Sequence, residues 1–241
     1  MAFKNAQQSR VLIGTAAYSG HARSFSLMET QVTHDVSTLA DTAKQLIVGQ
    51  NSATLDVGIV LDTDTTLNGP WAQATAAKGS ATDVPVSYFP AGSVTLSEVF
   101  LVAAIETTFE TMSTASGTVD GKLSALVDGQ ADAGVSLEDL TAIVATGNGT
   151  ARDLTASSAV GGVAHIHVTA FSGFTNNVVT IEHSVDGATA WATLVTFATV
   201  TGTTSERVTV ASGTTIRRYL RVVDTVTGSG SCTRQVSFAR R

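Results

Sequence analysis

The stretch that decides the fold reads SFSLMETQVTHDV at residues 24–36, STLADTAKQLIVGQ at 37–50 and NSATLDVGIVLD at 51–62. Its last segment alternates strictly. The residues on one face are Ala53, Leu55, Val57, Ile59 and Leu61, and those on the other include Thr54, Asp56, Val60 and Asp62. A period of two predicts a β-strand with one buried and one mostly polar face. Residues 25–34 predict the preceding strand.

The segment between these two strands predicts a short helix. Thr38 stands three residues before Asp41, which resembles a capping box with Asp in the Glu position. A helical apolar stripe follows, and a glycine stands where a left-handed cap would close it: Leu39, Ala43, Leu46, Ile47 and then Gly49. Because so short a helix is marginal alone, we expect it to pack on the flanking sheet.

The order of motifs over most of residues 9 to 147 carries a family resemblance. TLADTAK leads from the first strand, SATLDVGIVLD forms the second, and Phe89-Pro90-Ala91-Gly92 and a glycine-rich strand near 117–134 follow. This order resembles the major tail proteins, or tail tube proteins, of long non-contractile-tailed bacteriophages. The resemblance implies an all-β fold with one short helix, in which a tail-tube β-sandwich or barrel occupies residues 1–147.

The resemblance also implies a role in the virion. Subunits of that family form rings, usually hexamers, whose strands join side by side into an inner β-barrel. The rings stack into a tube for DNA ejection, assembled in the host bacterial cytoplasm. The implied partners are other copies of the chain, the tape measure, tail terminator and tail-tip proteins, and genomic DNA in transit without specific binding. We expect Thr54 and Asp56 to face the lumen. We expect the N-terminal arm 1–8, with Phe3, and the loop 63–83, with Trp71, to contact neighbouring subunits.

Composition agrees with a β-rich protein that assembles in a reducing compartment. Charged residues make up only 14% of the chain, against about 25% in typical soluble domains, and Thr, Ser, Ala, Val and Gly take their place. The one cysteine, Cys232, excludes an internal disulfide and is expected to be a small core residue. The N-terminal MAFKNAQQSR is not a signal peptide, and no apolar run of about eighteen residues predicts a membrane span.

The charge is unevenly distributed along the chain. Residues 1–150 contain six basic and fifteen acidic residues, a net charge of −9, whereas residues 151–241 carry +3. An acidic body does not grip a phosphate backbone, because affinity there comes from cations that displace counterions. This suits a conduit through which DNA slides, and it equally suits solubility.

The second half predicts a separate β-sandwich, either jelly-roll or Ig-like, at 153–241 after a linker at 148–152. Its strands are predicted near 163–171, 178–185, 191–200, 205–210, 216–223 and 232–239. The segments IEHSVDGATAWATLVTF (181–197) and IRRYLRV (216–222) resemble the hairpin and strand of galactose-binding-like modules, which decorate the exterior of some phage tails. The predicted core includes Trp191, Leu194 and Phe197, together with Leu220 and Val222, opposite Tyr219 and Arg221.

Two further function classes compete with the structural role. In a carbohydrate-binding adhesin, Trp191 or Tyr219 would stack on host-surface glycans. In a phosphotransferase, Asp62 would attack phosphorus and Asp64 would handle protons, since VLDTDTTL (60–67) resembles the first motif of haloacid-dehalogenase-type enzymes. The alternating strand before Asp62 disfavours this, because a central parallel strand is apolar on both faces. We therefore expect no enzyme and no cofactor.

Histidines and arginines of the second half remain as candidate sites. His165, His167 and His183 are three imidazoles on neighbouring strands, but no cysteine or carboxylate is placed to complete a zinc site, so hydrogen-bonded histidines are expected. A group of arginines forms either a nucleic-acid patch or a salt-bridged strand face, and the shortage of interleaved aromatics favours the latter: Arg217, Arg218, Arg221, Arg240 and Arg241.

Overall fold

The protein is all-β, as predicted. The computed structural model describes residues 9–18, 22–38, 42–61, 83–92, 95–113 and 119–241. The strands in these ranges are β1 (Arg10–Ile13), β2 (Ala16–Ala17), β3 (Ala22–Asp35), β4 (Leu46–Leu61), β5 (Val84–Phe89), β6 (Glu98–Ser113), β7 (Val119–Ile143), β8 (Gly147–Asn148), β9 (Arg152–Asp153), β10 (Gly162–Ser184), β11 (Ala192–Thr196), β12 (Thr204–Val210) and β13 (Tyr219–Arg240). No helix able to span a membrane occurs among the described residues.

The N-terminal strands form a curved sheet around one apolar cluster. β4 lies between β3 and β7, β7 continues to β6, and β6 continues through β5 to β1 and β2. The predicted alternation of β4 is confirmed, because Ala53, Leu55, Val57 and Ile59 are buried. The side chain of Leu61 lies outside the described ones. The same cluster includes Tyr18, Val86 and Val102, so β4 packs its apolar face onto β1, β5 and β6.

The predicted short helix is wrong over its described part. Residues 46–49 belong to β4 and pair with β3, with Ile47 opposite His34 and Leu46 opposite Asp35. The turn is stabilised by side chains, since the Ser37 hydroxyl donates to the Asp35 carboxylate and accepts from the backbone N–H of Gln45. Thr38 therefore lies in the connection between β3 and β4 and not at the start of a helix, and residues 39–41 lie outside the described ones.

Strand β7 belongs to both halves of the molecule. Its first part pairs with β4 from Val119 to Val127, and its last part pairs with β13, with Ile143 opposite Cys232. The short strand β8, just after it, also pairs with β13. The strand ladder thus crosses from one half into the other before residue 147, and the division into 1–147 and 153–241 remains a prediction.

The C-terminal half consists mainly of two long bent strands. β10 covers both the strands predicted at 163–171 and 178–185, and β13 covers most of those predicted at 216–223 and 232–239. The two strands pair along their whole length, with register shifts between Val168 and Asn176. Gly173 (φ 79°) and Gly228 (φ 90°) occupy left-handed conformations at this bend, where a side chain would be strained. Both β10 and β13 bend at this point, so the two ends of each strand face each other across a common core.

The predicted core of this half is confirmed except for Trp191. Phe197, Leu220 and Val222 are buried, and Leu194 packs partly buried against them. Cys232 is a free, fully buried thiol, as expected for a small core residue. Trp191 is only half-buried, because it packs against Arg221, whose side chain alternates with those of the buried Leu220 and Val222.

A buried ionic cluster lies across this core. Arg234 is fully buried; its Nε donates to Asp224 Oδ1 (2.9 Å), and a second guanidinium nitrogen contacts Asp224 Oδ2. Glu138, from β7, lies 2.8 Å from another nitrogen of the same guanidinium, and Asn177 donates to Asp224. Burial alone would lower the pKa of Arg234, but the hydrogen bonds and charge of Asp224 raise it above its ordinary value.

Candidate functional site

The solvent face of the β3-β4-β7-β6 sheet is polar, and it contains both predicted lumen residues. Thr54 and Asp56 point away from the buried face of β4 and are half-buried. In the sheet register, Ser26 of β3 and Ser124 of β7 flank Asp56. The Ser124 hydroxyl donates to the Asp56 carboxylate, Lys122 Nζ lies 3.4 Å from it, and the hydrogen bond from Ser124 is the main reason that the pKa of Asp56 is lowered.

The same face has exposed apolar side chains that the sequence analysis missed. Met28 and Leu126 are register partners of Thr54 on its two sides, and both are more than half exposed. In β7 the alternating residues Leu123, Ala125 and Val127 are buried, so Leu126 necessarily points outward. This break in the alternation could have been recognised from the sequence, because exposed apolar residues on the polar face of a strand often mark a contact surface.

Within the described ranges, the sheet ends in two strand edges that lack a partner strand. Among the described residues, β3 pairs only with β4, and β6 pairs with β5 only from Phe100 to Ala104, so its continuation to Ser113 has one unpaired side. The four strands alternate in direction, because each pairing between them is antiparallel. The β6 edge of one copy and the β3 edge of another are therefore oriented for antiparallel pairing.

The β3–β4 hairpin projects beyond the rest of the sheet. Pairing between β4 and β7 begins at Ala53, so in the part of the chain that the structure describes residues 46–52 pair only with β3. Val36, Leu46 and Ile47 near its end are each about half exposed. An isolated two-stranded hairpin is marginally stable in water, so this arm is a candidate contact surface.

Several predicted site residues lie outside the described part of the chain. They are Phe3 of the N-terminal arm, Trp71 of the 63–83 loop, and the carboxylates Asp62 and Asp64 of the phosphotransferase alternative. Their inter-subunit and catalytic roles stay predictions.

The histidines are hydrogen-bonded, as expected. His165 and His167 are fully buried and share the hydroxyl of Ser87, whereas His183 lies apart and accepts from the backbone N–H of Arg217. Burial is the main reason that the pKa of His183 is lowered. No group of three or more potential ligands able to hold a metal occurs in the described ranges.

The predicted salt-bridged strand face is present only in part, because three of the five arginines form salt bridges and only Arg221 and Arg240 lie within a strand. Arg218 pairs with Asp153, Arg221 with Glu182 and Arg241 with Asp132, and the remaining two donate to backbone carbonyls: Arg217 to Ala190 and Arg240 to Arg217. The hydrogen bond from Arg218 lowers the pKa of Asp153 to about 2. These guanidinium groups are engaged by protein partners, which leaves little for a phosphate backbone.

Both predicted glycan-stacking rings have a cation against one face. The Arg221 guanidinium lies 4.2 Å from the centroid of Trp191, and that of Arg218 lies 5.1 Å from the centroid of Tyr219. Gly187 also approaches the Tyr219 ring, since an added Cβ would stand 2.8 Å from it. Stacking of a sugar on either ring would have to use the face opposite the guanidinium, and the glycan contact stays a prediction.

Comparison with known proteins identifies only distant structural neighbours. No family model matches the chain, and no curated protein matches it. A chain from the virion of a native gene transfer agent particle is similar at 16% identity and TM-score 0.41, over 54% of this chain and 97% of that one. The SPP1 Dit protein, described as a hub of the adsorption apparatus of phages infecting Gram-positive bacteria, is similar at 11% identity and TM-score 0.35, over 97% of this chain and 99% of that one. A chain of the phage p2 baseplate gives 9% identity and TM-score 0.35, over 97% of this chain and 98% of that one. All three TM-scores lie below 0.5, and we therefore base the function on this chain's own sheet edges and faces.

Proposed function

We propose that this chain is a structural phage protein that assembles into stacked rings, hexameric by family resemblance, and forms a tail tube. The observation that carries the proposal is the pair of open edges on opposite sides of one four-stranded sheet. Unpaired edges are a liability in a monomer and are satisfied when copies join side by side. A head-to-tail interface of this kind closes into a ring when its rotation closes.

The polar face of the sheet is the proposed lumen. Its other face is buried against β1 and β5, so only the face with Thr54 and Asp56 is free to line a channel. The N-terminal half is acidic, so the channel lacks the excess of cationic side chains that tight binding of DNA requires. The exposed Met28 and Leu126 offer apolar contacts to the tape measure protein, one of the partners that the family resemblance implies.

The remaining parts of the proposal concern other contacts. The arm 1–8 and the loop 63–83 make the contact between rings, and the C-terminal β-sandwich lies on the exterior. Tail terminator and tail-tip proteins are further partners of the assembly. The protein acts in the virion tail after assembly in the host cytoplasm, and it is not an enzyme.

The first test is negative-stain electron microscopy of the full chain at high concentration, with and without tail-tip components. Hollow tubes or stacked rings of uniform width are expected. A protein that stays monomeric even with the tail-tip components present would overturn the proposed function.

The second test addresses the edges directly. Ser26 of β3 and Thr108 of β6 lie in one cross-strand row with Asp56 and Ser124 between them. With Ser26→Cys and Thr108→Cys in the same chain, oxidation is expected to give a ladder of covalent oligomers, whereas each single variant gives at most dimers. A disulfide requires Cα atoms about 5.5 Å apart, so Ser24→Cys and Met28→Cys replace Ser26→Cys to sample the register. Tubes without a ladder from any of the three pairs would refute the edge assignment.

A further inference from the structure

A buried row of hydrogen bonds connects the N-terminal strands to the C-terminal sheet. The Ser87 hydroxyl, from β5, lies 3.2 Å from Nδ1 of His165 and 2.8 Å from Nε2 of His167, both on β10. All three side chains are fully buried. β5 and β10 are not ladder partners, so these side chains make the polar connection between the two strands.

The two ends of the row determine where every proton lies. Nδ1 of His167 is 2.7 Å from the backbone carbonyl oxygen of Gly14, which only accepts, so Nδ1 of His167 carries the proton. At the other end the Arg207 guanidinium, which only donates, is 2.8 Å from Nε2 of His165, so that nitrogen is unprotonated and Nδ1 carries the proton. His165 then donates to Ser87, and Ser87 donates to His167. Both rings are neutral Nδ1–H tautomers, and each of their nitrogens has a partner.

Charged groups continue the row toward the surface. Arg207 also donates to Asp132 of β7 at 2.7 Å, and Arg241 donates to the same carboxylate at 2.9 Å. We call the set Gly14, Ser87, His165, His167 and Arg207 the histidine bridge. It links the β1–β2 turn, β5, β10 and β12, and Asp132 anchors it to β7.

We propose that the histidine bridge is an acid-sensitive joint, which holds the β1, β2 and β5 strands against the C-terminal sheet at neutral pH and releases them when the histidines are protonated. The inference does not depend on tube formation, because it rests on contacts within one chain.

Protonation breaks the row because both nitrogens of each ring already take part in a hydrogen bond. Neither ring therefore has a nitrogen that can bind another proton without losing a partner. A proton on Nε2 of His165 would point at the Arg207 guanidinium, and a proton on Nε2 of His167 would leave the Ser87 hydroxyl without its acceptor in the row. The charged groups around the rings are Arg207 from β12, Asp132 from β7 and Arg241 after β13, and Asp83 and Asp128 lie near Arg207. The cation Arg207 lies 2.8 Å from Nε2 of His165, where it opposes a second positive charge.

The titration directions agree with this geometry. Burial lowers the pKa of His167 to about 4, against a weaker opposing effect of its hydrogen bond to Gly14. Burial, the neighbouring His167 and Arg207 together hold the pKa of His165 well below its ordinary value. Both rings therefore bind protons more weakly in the closed joint than in an opened one.

The arrangement resembles a nucleophile–base pair but is not accessible as one. The Ser87 hydroxyl donates to His167 at 2.8 Å, as a catalytic serine would. However, both side chains have no exposed surface, so no substrate carbonyl reaches the oxygen while the joint is closed. The burial of both side chains therefore supports a structural role for this row of hydrogen bonds.

The first experiment is ¹⁵N NMR of the imidazole nitrogens in the full chain at pH 7. Both His165 and His167 are expected as Nδ1–H tautomers. An Nε2–H tautomer at either ring, or a charged ring at pH 7, would overturn the proposal.

The second experiment is amide hydrogen exchange, expressed as protection factors, for β5 and for residues 162–168 of β10. Between pH 7 and pH 5, protection is expected to fall about 20-fold for each histidine that opening releases, from the difference in proton binding. The combined variant His165→Gln and His167→Asn, whose amides imitate the bonds to Arg207 and Gly14, should lose this dependence. His183→Asn is the matched control and should retain it. Protection that does not change with pH in the unmodified chain, or a dependence that survives in the combined variant, would refute the proposal. If the combined variant does not fold, the tautomers and the exchange of the unmodified chain still decide.

Discussion

Replacing Asp224 by asparagine should destabilise the protein strongly, although the change keeps the size of the side chain. Asp224 is nearly fully buried and receives two guanidinium nitrogens of the fully buried Arg234. Removal of one partner from a buried ion pair costs about 3–5 kcal/mol, because a charge is left in a medium that solvates it poorly. Glu138 stays 2.8 Å from the guanidinium, which places the expected loss at the lower end, about 3 kcal/mol.

The measurement is urea unfolding at pH 7, followed by circular dichroism at one low protein concentration so that assembly does not contribute. With a slope of about 3 kcal/mol per molar urea, the midpoint should fall by about 1 M. The matched control is Asp153→Asn, which breaks a comparable two-bond contact with Arg218 at side chains 40% and 44% exposed. Solvent screens exposed pairs, so its midpoint should move less than a third as far. Equal shifts in the two variants would refute the reasoning that burial determines the cost.

Three further predictions follow from packing, turn geometry and proton binding. Leu55→Ala should lower the free energy of unfolding in urea by about 2–5 kcal/mol, because it leaves a cavity at a fully buried position. The control, Met28→Ala on the opposite face of the sheet, should change it by less than about 0.5 kcal/mol. Comparable losses in the two variants would mean that the faces are assigned wrongly. Gly187→Ala should cost about 1–2 kcal/mol, because φ is 73° and the new Cβ would meet the Tyr219 ring; an unchanged thermal midpoint, with Gly202→Ala as the control, would contradict this. Stability should be nearly constant just above pH 6.5, where unfolded histidine is neutral. It should fall as the pH decreases from about 6.5 towards the folded pKa of His167, about 4. His167 alone contributes about 3 kcal/mol to this loss at 1.36 kcal/mol per pKa unit, and His165 and His183, whose pKa values are also lowered, add to it. Unfolding titrations of the unmodified chain in which stability rises as the pH falls over this range would contradict the prediction.

Local sequence patterns predicted the strands well, because a strand with one buried face has apolar residues at alternate positions. The buried Ala53, Leu55 and Val57 follow from the sequence alone. The helix prediction failed at Leu46-Ile47-Val48, three consecutive apolar residues that suit a strand as well as a helical stripe. Pairing with β3 decided the outcome, and pairing is a tertiary interaction that overrides weak helix propensity.

The polar clusters depend on contacts that no local pattern contains. Ser87 and His167 are 80 residues apart in sequence, and Glu138 and Arg234 belong to different halves of the chain. The two-residue spacing of His165 and His167 indicated that both rings share a face, but not what lies opposite. Part of this cluster could have been predicted at Ser87. It is the lone serine within VPVSYF, a strand that is mostly buried, and buried hydroxyl groups need hydrogen-bond partners.

The continuous strand β7 has a mechanical consequence. It contains 25 residues, a contour of roughly 80 Å at about 3.3 Å per residue, and its two parts belong to the ladders of different halves. A tangential pull on the C-terminal sandwich would load many interstrand hydrogen bonds of β7 in parallel, in shear, instead of opening them one after another. The C-terminal half is therefore connected to the N-terminal sheet through the paired length of β7, and a force on it is transmitted to β4 and β6 through the ladders of that strand.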